Sequence, residues 1–371
     1  MRCASRCSGA TRAALLSPPE PGRPCRAAVV GVAGQQLGAD ERQLLAAQPP
    51  WGFILFQRNC GSRNQVRQLV QDLRDASGRP SAPVLIDQEG GRVMRLKPPH
   101  WPARPAGRQL GVLAAWDLAA GREAAFLHAR LIAQDLSPLG ITINCAPVLD
   151  LALPGRTGAI GDRAFSADPE IVAALGESAI AGYLVGGVLP VIKHLPGHGR
   201  AQVDSHLELP VVDSSRDTLA ASDWLPFRLC AGAPLAMTCH VLYAALDPAC
   251  PATLSATIIA DVIRGEIGIT GALFTDDLSM GALGGSLGER ATRARAAGCD
   301  FALHCNGRYD EMVEVLSASG PLEGEGAARA ERALACLAPP QAFDAMAAEA
   351  RLAELLRETE PSTRPMTERT V

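Results

Sequence analysis

Three of the seven histidines in this 371-residue chain fall in one short stretch, Val191–Pro210 (VIKHLPGHGRAQVDSHLELP). The same stretch holds Lys193, one of only two lysines; the other is Lys97. An apolar run gives way at Lys193 and His194, a turn of Pro and Gly follows with His198, and Asp204, Ser205 and His206 come after it. That order reads as a buried strand delivering polar side chains at its carboxyl end and into a glycine-rich loop. In a chain that otherwise carries positive charge on arginine, a lysine at a strand end is a poor candidate for generic surface charge. Asp204 and His206 are two residues apart, so on an extended loop their side chains point the same way and the carboxylate can orient the imidazole. An imidazole titrating near neutrality can protonate a departing oxygen and later deprotonate water. In LFTDDLSM, Asp276 ends an apolar run and is placed as a fixed anionic nucleophile, whereas Asp277 faces the other way if the strand continues. A nucleophile and a proton donor on opposite sides of an anomeric carbon are what glycoside transfer requires. Two other chemistries fit less well. His194, His198, Asp204 and His206 are all metal-ligand types, but their spacing matches no compact zinc pattern, and KHLPGHG lacks the spacing of a P-loop. The reading therefore includes no metal and no cofactor.

These residues need a scaffold that brings distant strand ends together. From Ala27 onward, short apolar or β-branched runs recur at Ala27–Val32, Gly52–Phe56, Pro83–Asp87, Ile141–Val148, Val188–Lys193, Pro234–Thr238, Gly271–Thr275 and Phe301–His304. Segments of helical spacing lie between them, among them Asn64–Ala76, Asp117–Leu136, Asp168–Leu184, Ser255–Gly265, Gly288–Ala297 and Asp310–Ser319, several opened by Asp, Asn or Ser. Nearly continuous apolar strands alternating with helices imply a parallel sheet covered on both faces, and eight such units predict an α/β fold, a single (β/α)8 TIM-type barrel. Residues Gly324–Arg357 read as a C-terminal helical extension broken at Pro339–Pro340. Active sites of such barrels sit at the carboxyl ends of the strands, where this chain carries Asp87, Asp150, Lys193, His194, His240, Asp276, Asp277, His304 and Asn306.

Composition narrows the partners. Apolar residues at 47% supply a large core, while aromatics at 4% leave its packing to Ala, Val, Leu and Ile. A net charge of −4 gives no footprint for nucleic acid or an anionic membrane surface, and no apolar run reaches the roughly 18 residues of a membrane span. Eleven scattered cysteines without a CxxC pair argue against a disulfide framework and point to a reducing, cytoplasmic setting. Residues 1–26 are set aside as an N-terminal extension, 27–358 as the barrel domain and 359–371 as a disordered tail.

The motifs KHLPGHG and DSHLELP, with IDQEGGRVMRL, GDRAF, MTCHVLYAALDP, FTDDLSM and LHCNG, resemble glycoside hydrolase family 3, specifically its single-domain bacterial β-N-acetylglucosaminidases of peptidoglycan recycling. The likeness runs in order from about Ala27 to about Leu337, with Leu195 standing where the family pattern has Phe. It implies a retaining exo-β-N-acetylglucosaminidase that removes terminal GlcNAc from small-molecule muropeptides, GlcNAc-1,6-anhydro-MurNAc with or without peptide, through a covalent glycosyl–enzyme intermediate. Carried over by position, it implies Asp276 as nucleophile, His206 as general acid/base with Asp204 as its dyad partner, and Asp87, Arg95, Arg163, Lys193 and His194 as sugar-binding groups. A broader β-hexosaminidase or β-glucosidase, and a non-catalytic muropeptide-binding barrel, are the alternatives.

Overall fold

The computed structural model describes residues 24–155 and 158–357. The expected N-terminal extension, up to residue 23, and the expected tail lie outside the described residues. Ten strands occur in chain order: β1 (Arg26–Gly31), β2 (Pro50–Leu55), β3 (Val84–Ile86), β4 (Ile143–Asn144), β5 (Leu189–Leu195), β6 (Val211–Val212), β7 (Leu235–Thr238), β8 (Leu242–Tyr243), β9 (Ala272–Asp277) and β10 (Phe301–His304). Eight of them close a barrel in the order β1–β2–β3–β4–β5–β7–β9–β10 and back to β1. Every barrel pairing is parallel, closure being made where Val30 is in register with both Phe53 and His304. All eight expected runs supply a barrel strand. The two-residue β6 and β8, too short to leave a periodic signal, pair with each other outside the barrel.

Helices pack around the strands, and their ends follow local chemistry. The Arg63–Ser77 helix starts where the Ser62 hydroxyl accepts the Gln65 N–H and stops at Gly78, whose φ of 63° only glycine adopts at low cost. Pro169–Val185 begins with Asp168 accepting the N–H groups of Glu170 and Ile171, with Pro at the first helical position. Leu287–Ala297 opens on a Ser286/Glu289 capping box. Ser255 caps rather than joins the following helix, which runs Ile258–Glu266 as a π-helix. The C-terminal extension is two helices, Gly324–Ala335 and Ala345–Arg357, on either side of the Pro339–Pro340 break; the second packs against Leu118–Leu136.

Two expectations are corrected. The run Ile141–Val148 contributes only Ile143 and Asn144 as strand residues. Pro147 has no N–H to donate, and the pairing of β3 with β4 is extended by a side chain: Asn144 Oδ1 accepts the Gln88 N–H at 2.9 Å and Asn144 Nδ2 donates to the Gln88 carbonyl at 2.9 Å. Packing also uses aromatics more than their number suggests. The outer layer between strands and helices buries Phe53, Tyr183, Trp224, Phe227 and Tyr243 among its aliphatic side chains, and the barrel interior holds Trp51, Phe274 and Phe301, with Trp51 stacked on Phe301 at 4.2 Å and Phe274 on Phe301 at 4.7 Å. These rings fill the barrel and form the floor on which the polar strand ends stand.

Candidate active site

At the end of β3 the chain stays extended, so Asp87 and Glu89, two residues apart, turn to the same side. Both reach Lys193 at the end of β5, whose Nζ lies 2.9 Å from Asp87 Oδ1 and 2.7 Å from Glu89 Oε1. Arg95 Nη2 donates to Asp87 Oδ2 at 3.0 Å. Arg163, delivered by a short 3-10 turn (Gly161–Arg163), grips Glu89 with two hydrogen bonds of 2.8 and 2.7 Å. Burial opposes ionisation of both carboxyls, but the cations outweigh it: Arg163 and Lys193 bring Glu89 down to about 2, and Lys193 and Arg95 hold Asp87 well below the usual carboxylate range. Burial would likewise discharge Lys193, yet the two carboxylates push its pKa well up. The five groups are thus all charged, three positive and two negative, and hydrogen-bonded to one another rather than to bulk water.

His194 faces a different carboxylate. Its Nδ1 lies 2.6 Å from Asp150 Oδ2, and the other Asp150 oxygen accepts the backbone N–H groups of His194 at 3.3 Å and His198 at 2.6 Å. An ionised Asp150 can only accept, so Nδ1 donates to it, and His194 Nε2 lies 3.5 Å from Arg163 Nη2. The pairing of β5 with β7 shifts register between Ile192 and Leu195, breaking strict alternation where Lys193 and His194 both turn toward the site.

Asp276 is the last residue but one of β9, where pairing with β10 is irregular between Phe301 and Leu303. Burial disfavours its charge, but His194, His240, the Asp277 N–H and Lys193 together carry its pKa below the ordinary value, so the carboxylate is ionised. Its Oδ1 accepts that N–H at 2.8 Å. Asp277 is fastened elsewhere, accepting the Ser279 N–H at 3.0 Å, the Ser279 hydroxyl at 2.7 Å and the Cys305 N–H at 3.2 Å. His240 braces the same strand end by donating Nε2–H to the Asp277 carbonyl at 3.0 Å. His304 is fully buried, 3.6 Å from Glu311.

The loop after β5 carries the dyad. His206 Nδ1 lies 2.7 Å from Asp204 Oδ1, which also accepts the His206 backbone N–H at 3.0 Å. These hydrogen bonds lower the Asp204 pKa against the opposing effect of burial. The His206 side chain is 66% exposed, and among the described residues no hydrogen bond or ion pair joins it to Asp276. The structure therefore unites Asp87, Arg95, Arg163, Lys193 and His194 in one network beside Asp276, and holds Asp204 and His206 as a separate pair. Among the described residues no group of three or more His, Cys, Asp or Glu converges as a metal site.

The model of the N-terminal domain of glycosyl hydrolase family 3 matches residues 28–333. The chain belongs to glycoside hydrolase family 3. This family 3 enzyme is 43% identical over 282 residues to a β-hexosaminidase of Alkalilimnicola ehrlichii, covering 75% of this chain and 80% of that one. It is 38% identical over 332 residues to a β-hexosaminidase of Aromatoleum aromaticum, covering 88% and 91%. Its fold is similar to that of NagZ from Neisseria gonorrhoeae in complex with N-trifluoroacetyl-D-glucosamine, with a TM-score of 0.75, 32% identity and coverage of 90% and 98%.

Two residues that the geometry adds to this cluster, Glu89 and Asp150, lie outside the site groups expected from sequence. Glu89 joins Lys193 to Arg163, and the signal for it was its spacing of two from Asp87. Asp150 stood among the strand-end residues, but its role in fixing His194 follows only from the fold.

Proposed function

We propose that the protein is a retaining exo-β-N-acetylglucosaminidase that removes terminal GlcNAc from muropeptides, GlcNAc-1,6-anhydro-MurNAc with or without its peptide, in the cytoplasm. The observation that carries this reading is an ionised Asp276 set beside a cluster of fixed donors and acceptors suited to sugar hydroxyls, with a carboxylate–imidazole pair on the neighbouring loop. The N-acetyl preference is supported by the β-hexosaminidases this chain resembles and by the N-trifluoroacetyl-D-glucosamine bound to the Neisseria protein. Lys193, Asp87, Arg95, Arg163 and His194 bind the sugar; they are rigid before it arrives, so little ordering is left to the binding step. No helix among the described residues is long and apolar enough to cross a membrane.

In the first step the Asp276 carboxylate bonds to the anomeric carbon as the glycosidic C–O bond breaks, and the departing oxygen takes a proton from His206 Nε2. In the second, water attacks the anomeric carbon, His206 takes its proton, and Asp276 departs with the bonding electrons, so configuration is retained. Asp204 holds Nδ1–H throughout, leaving Nε2 to exchange the proton. A 4-nitrophenyl N-acetyl-β-glucosaminide and the matching β-glucoside test the reading. Turnover of the first alone, lost in Asp276→Ala with the fold intact, is the expected result; turnover of neither by folded wild type, or retained turnover in the variant, overturns it.

A further inference from the structure

The side chains around the dyad do not share its exposure. Asp204 and His206 have side chains 36% and 66% exposed, yet Ser205 between them is 2% exposed. The backbone turns rather than staying extended here, the Leu207 and Glu208 N–H groups donating to the Asp204 carbonyl at 2.9 and 3.1 Å, and the turn sends the Ser205 side chain inward while Asp204 and His206 face outward. Ser205 Oγ lies 3.1 Å from Nε2 of His198, itself 3% exposed. Burial keeps that imidazole neutral, its pKa brought down to about 4. Two backbone bonds fasten the same residues to the segment after β9, from the Ala282 N–H to the Ser205 carbonyl and from the Gly281 N–H to the His206 carbonyl, both 3.2 Å. A Cβ on Gly281 would sit 2.9 Å from the His206 carbonyl oxygen and 2.8 Å from that of Leu207, so only glycine lets the two segments approach this closely.

His198 is held from behind by the Asp150 oxygen that accepts its backbone N–H at 2.6 Å, and the partner oxygen of Asp150 holds His194 beside Asp276. An unbroken series of hydrogen bonds therefore runs from the sugar-binding histidine through Asp150 and His198 to Ser205. We propose that Ser205 and His198 are positioning residues for the acid/base: their hydrogen bond seats the loop so that the dyad is registered against the frame that holds the sugar. This rests on the assignment of His206 as acid/base. Neither residue meets the reacting atoms; each acts through the placement of His206.

Ser205→Ala removes one hydroxyl, and Ser205→Thr restores it. Each would be assayed for kcat/KM on an aryl N-acetyl-β-glucosaminide with an activated phenol and on an alkyl N-acetyl-β-glucosaminide, beside wild type and His206→Ala. A leaving group that needs protonation depends on His206 and an activated phenol hardly does. Expected is a loss of at least about tenfold on the alkyl substrate in Ser205→Ala with less than about threefold on the phenol, and recovery in Ser205→Thr. Equal loss on both substrates, or no loss on either, overturns the inference while leaving the functional reading in place, provided His206→Ala shows the selective loss. If His206→Ala itself shows no selectivity, the acid/base assignment and this inference fall together. His198→Asn, expected to match Ser205→Ala in selectivity, overturns it if its loss is uniform and its melting temperature is that of wild type.

Discussion

Replacing Glu89 with glutamine keeps the shape of the side chain and removes one charge from the five-group cluster. The carboxyl, its side chain only 7% exposed, touches both Lys193 and Arg163. Its pKa falls from 4.5 to about 2 despite burial, a preference for the ionised form of about 3 kcal/mol at 1.36 kcal/mol per pH unit. Glu89→Gln leaves Lys193, Arg95 and Arg163 facing Asp87 alone, so an excess of one positive charge becomes an excess of two in a buried setting. Breaking one partner of such a network costs about 3–5 kcal/mol. The expected loss is about 3 kcal/mol, or a melting temperature lower by about 4 °C for a domain of this size. Because the folded-state pKa is depressed, this contribution is fully present above pH 4.5 and is lost as the pH falls through about 2. The penalty should therefore be flat from pH 5 to 8. Thermal melts of wild type, Glu89→Gln, Arg163→Met and the double variant complete the measurement, with the two substitutions coupled by about 2 kcal/mol. A single-variant shift below about 1 °C, or additive effects in the cycle, would refute the argument that these charges hold one another in place.

Asp150→Asn can turn an amide N–H toward His194 Nδ1 and move the ring proton to Nε2, against Arg163; kcat/KM should fall about 10- to 100-fold with little change in melting temperature, as for other partners that fix a histidine tautomer, and an unchanged kcat/KM would remove that role. Trp51→Ala opens the centre of the barrel and should cost about 3–5 kcal/mol in denaturant unfolding without changing the ratio of activities on activated and unactivated substrates. His128 and His198 are buried, and burial first of all pushes each from 6.5 to about 4. The unfolded chain protonates them near pH 6.5 while the fold does not, so stability should fall between about pH 6.5 and 4.5, by up to about 1.4 kcal/mol per pH unit for each histidine, and not above that window. Denaturant midpoints that stay constant from pH 7 to 5 would contradict this.

The barrel was legible because its strands are buried on both faces and therefore read as apolar runs, and because Asp117 and Asp168 mark helix starts through their own hydrogen bonds. What hid from the sequence was structure made by side chains standing in for backbone. Asn144 pairs with Gln88 where β4 has no further ladder with β3, and nothing in its type announces that. The helices Ala39–Ala47 and Gly107–Trp116 lack the strong apolar stripe that would set them apart from loops. In the site, residue type and spacing were enough to find groups that end strands, such as Asp87, Lys193 and Asp276. Asp150 and Glu89 act by holding other side chains, and that depends on which distant residues the closed barrel sets against them.

The scarcity of lysine has a practical consequence. Lys193 is enclosed by carboxylates, with 3% of its side chain exposed, and Lys97 lies on the surface with its ammonium 2.9 Å from Gln57 Oε1. Amine-reactive dyes, cross-linkers and resins thus meet a single accessible lysine side chain, two positions beyond Arg95. A protein immobilised through that amine would present nearly one orientation, with the support attached close to Arg95 and the charged cluster it belongs to.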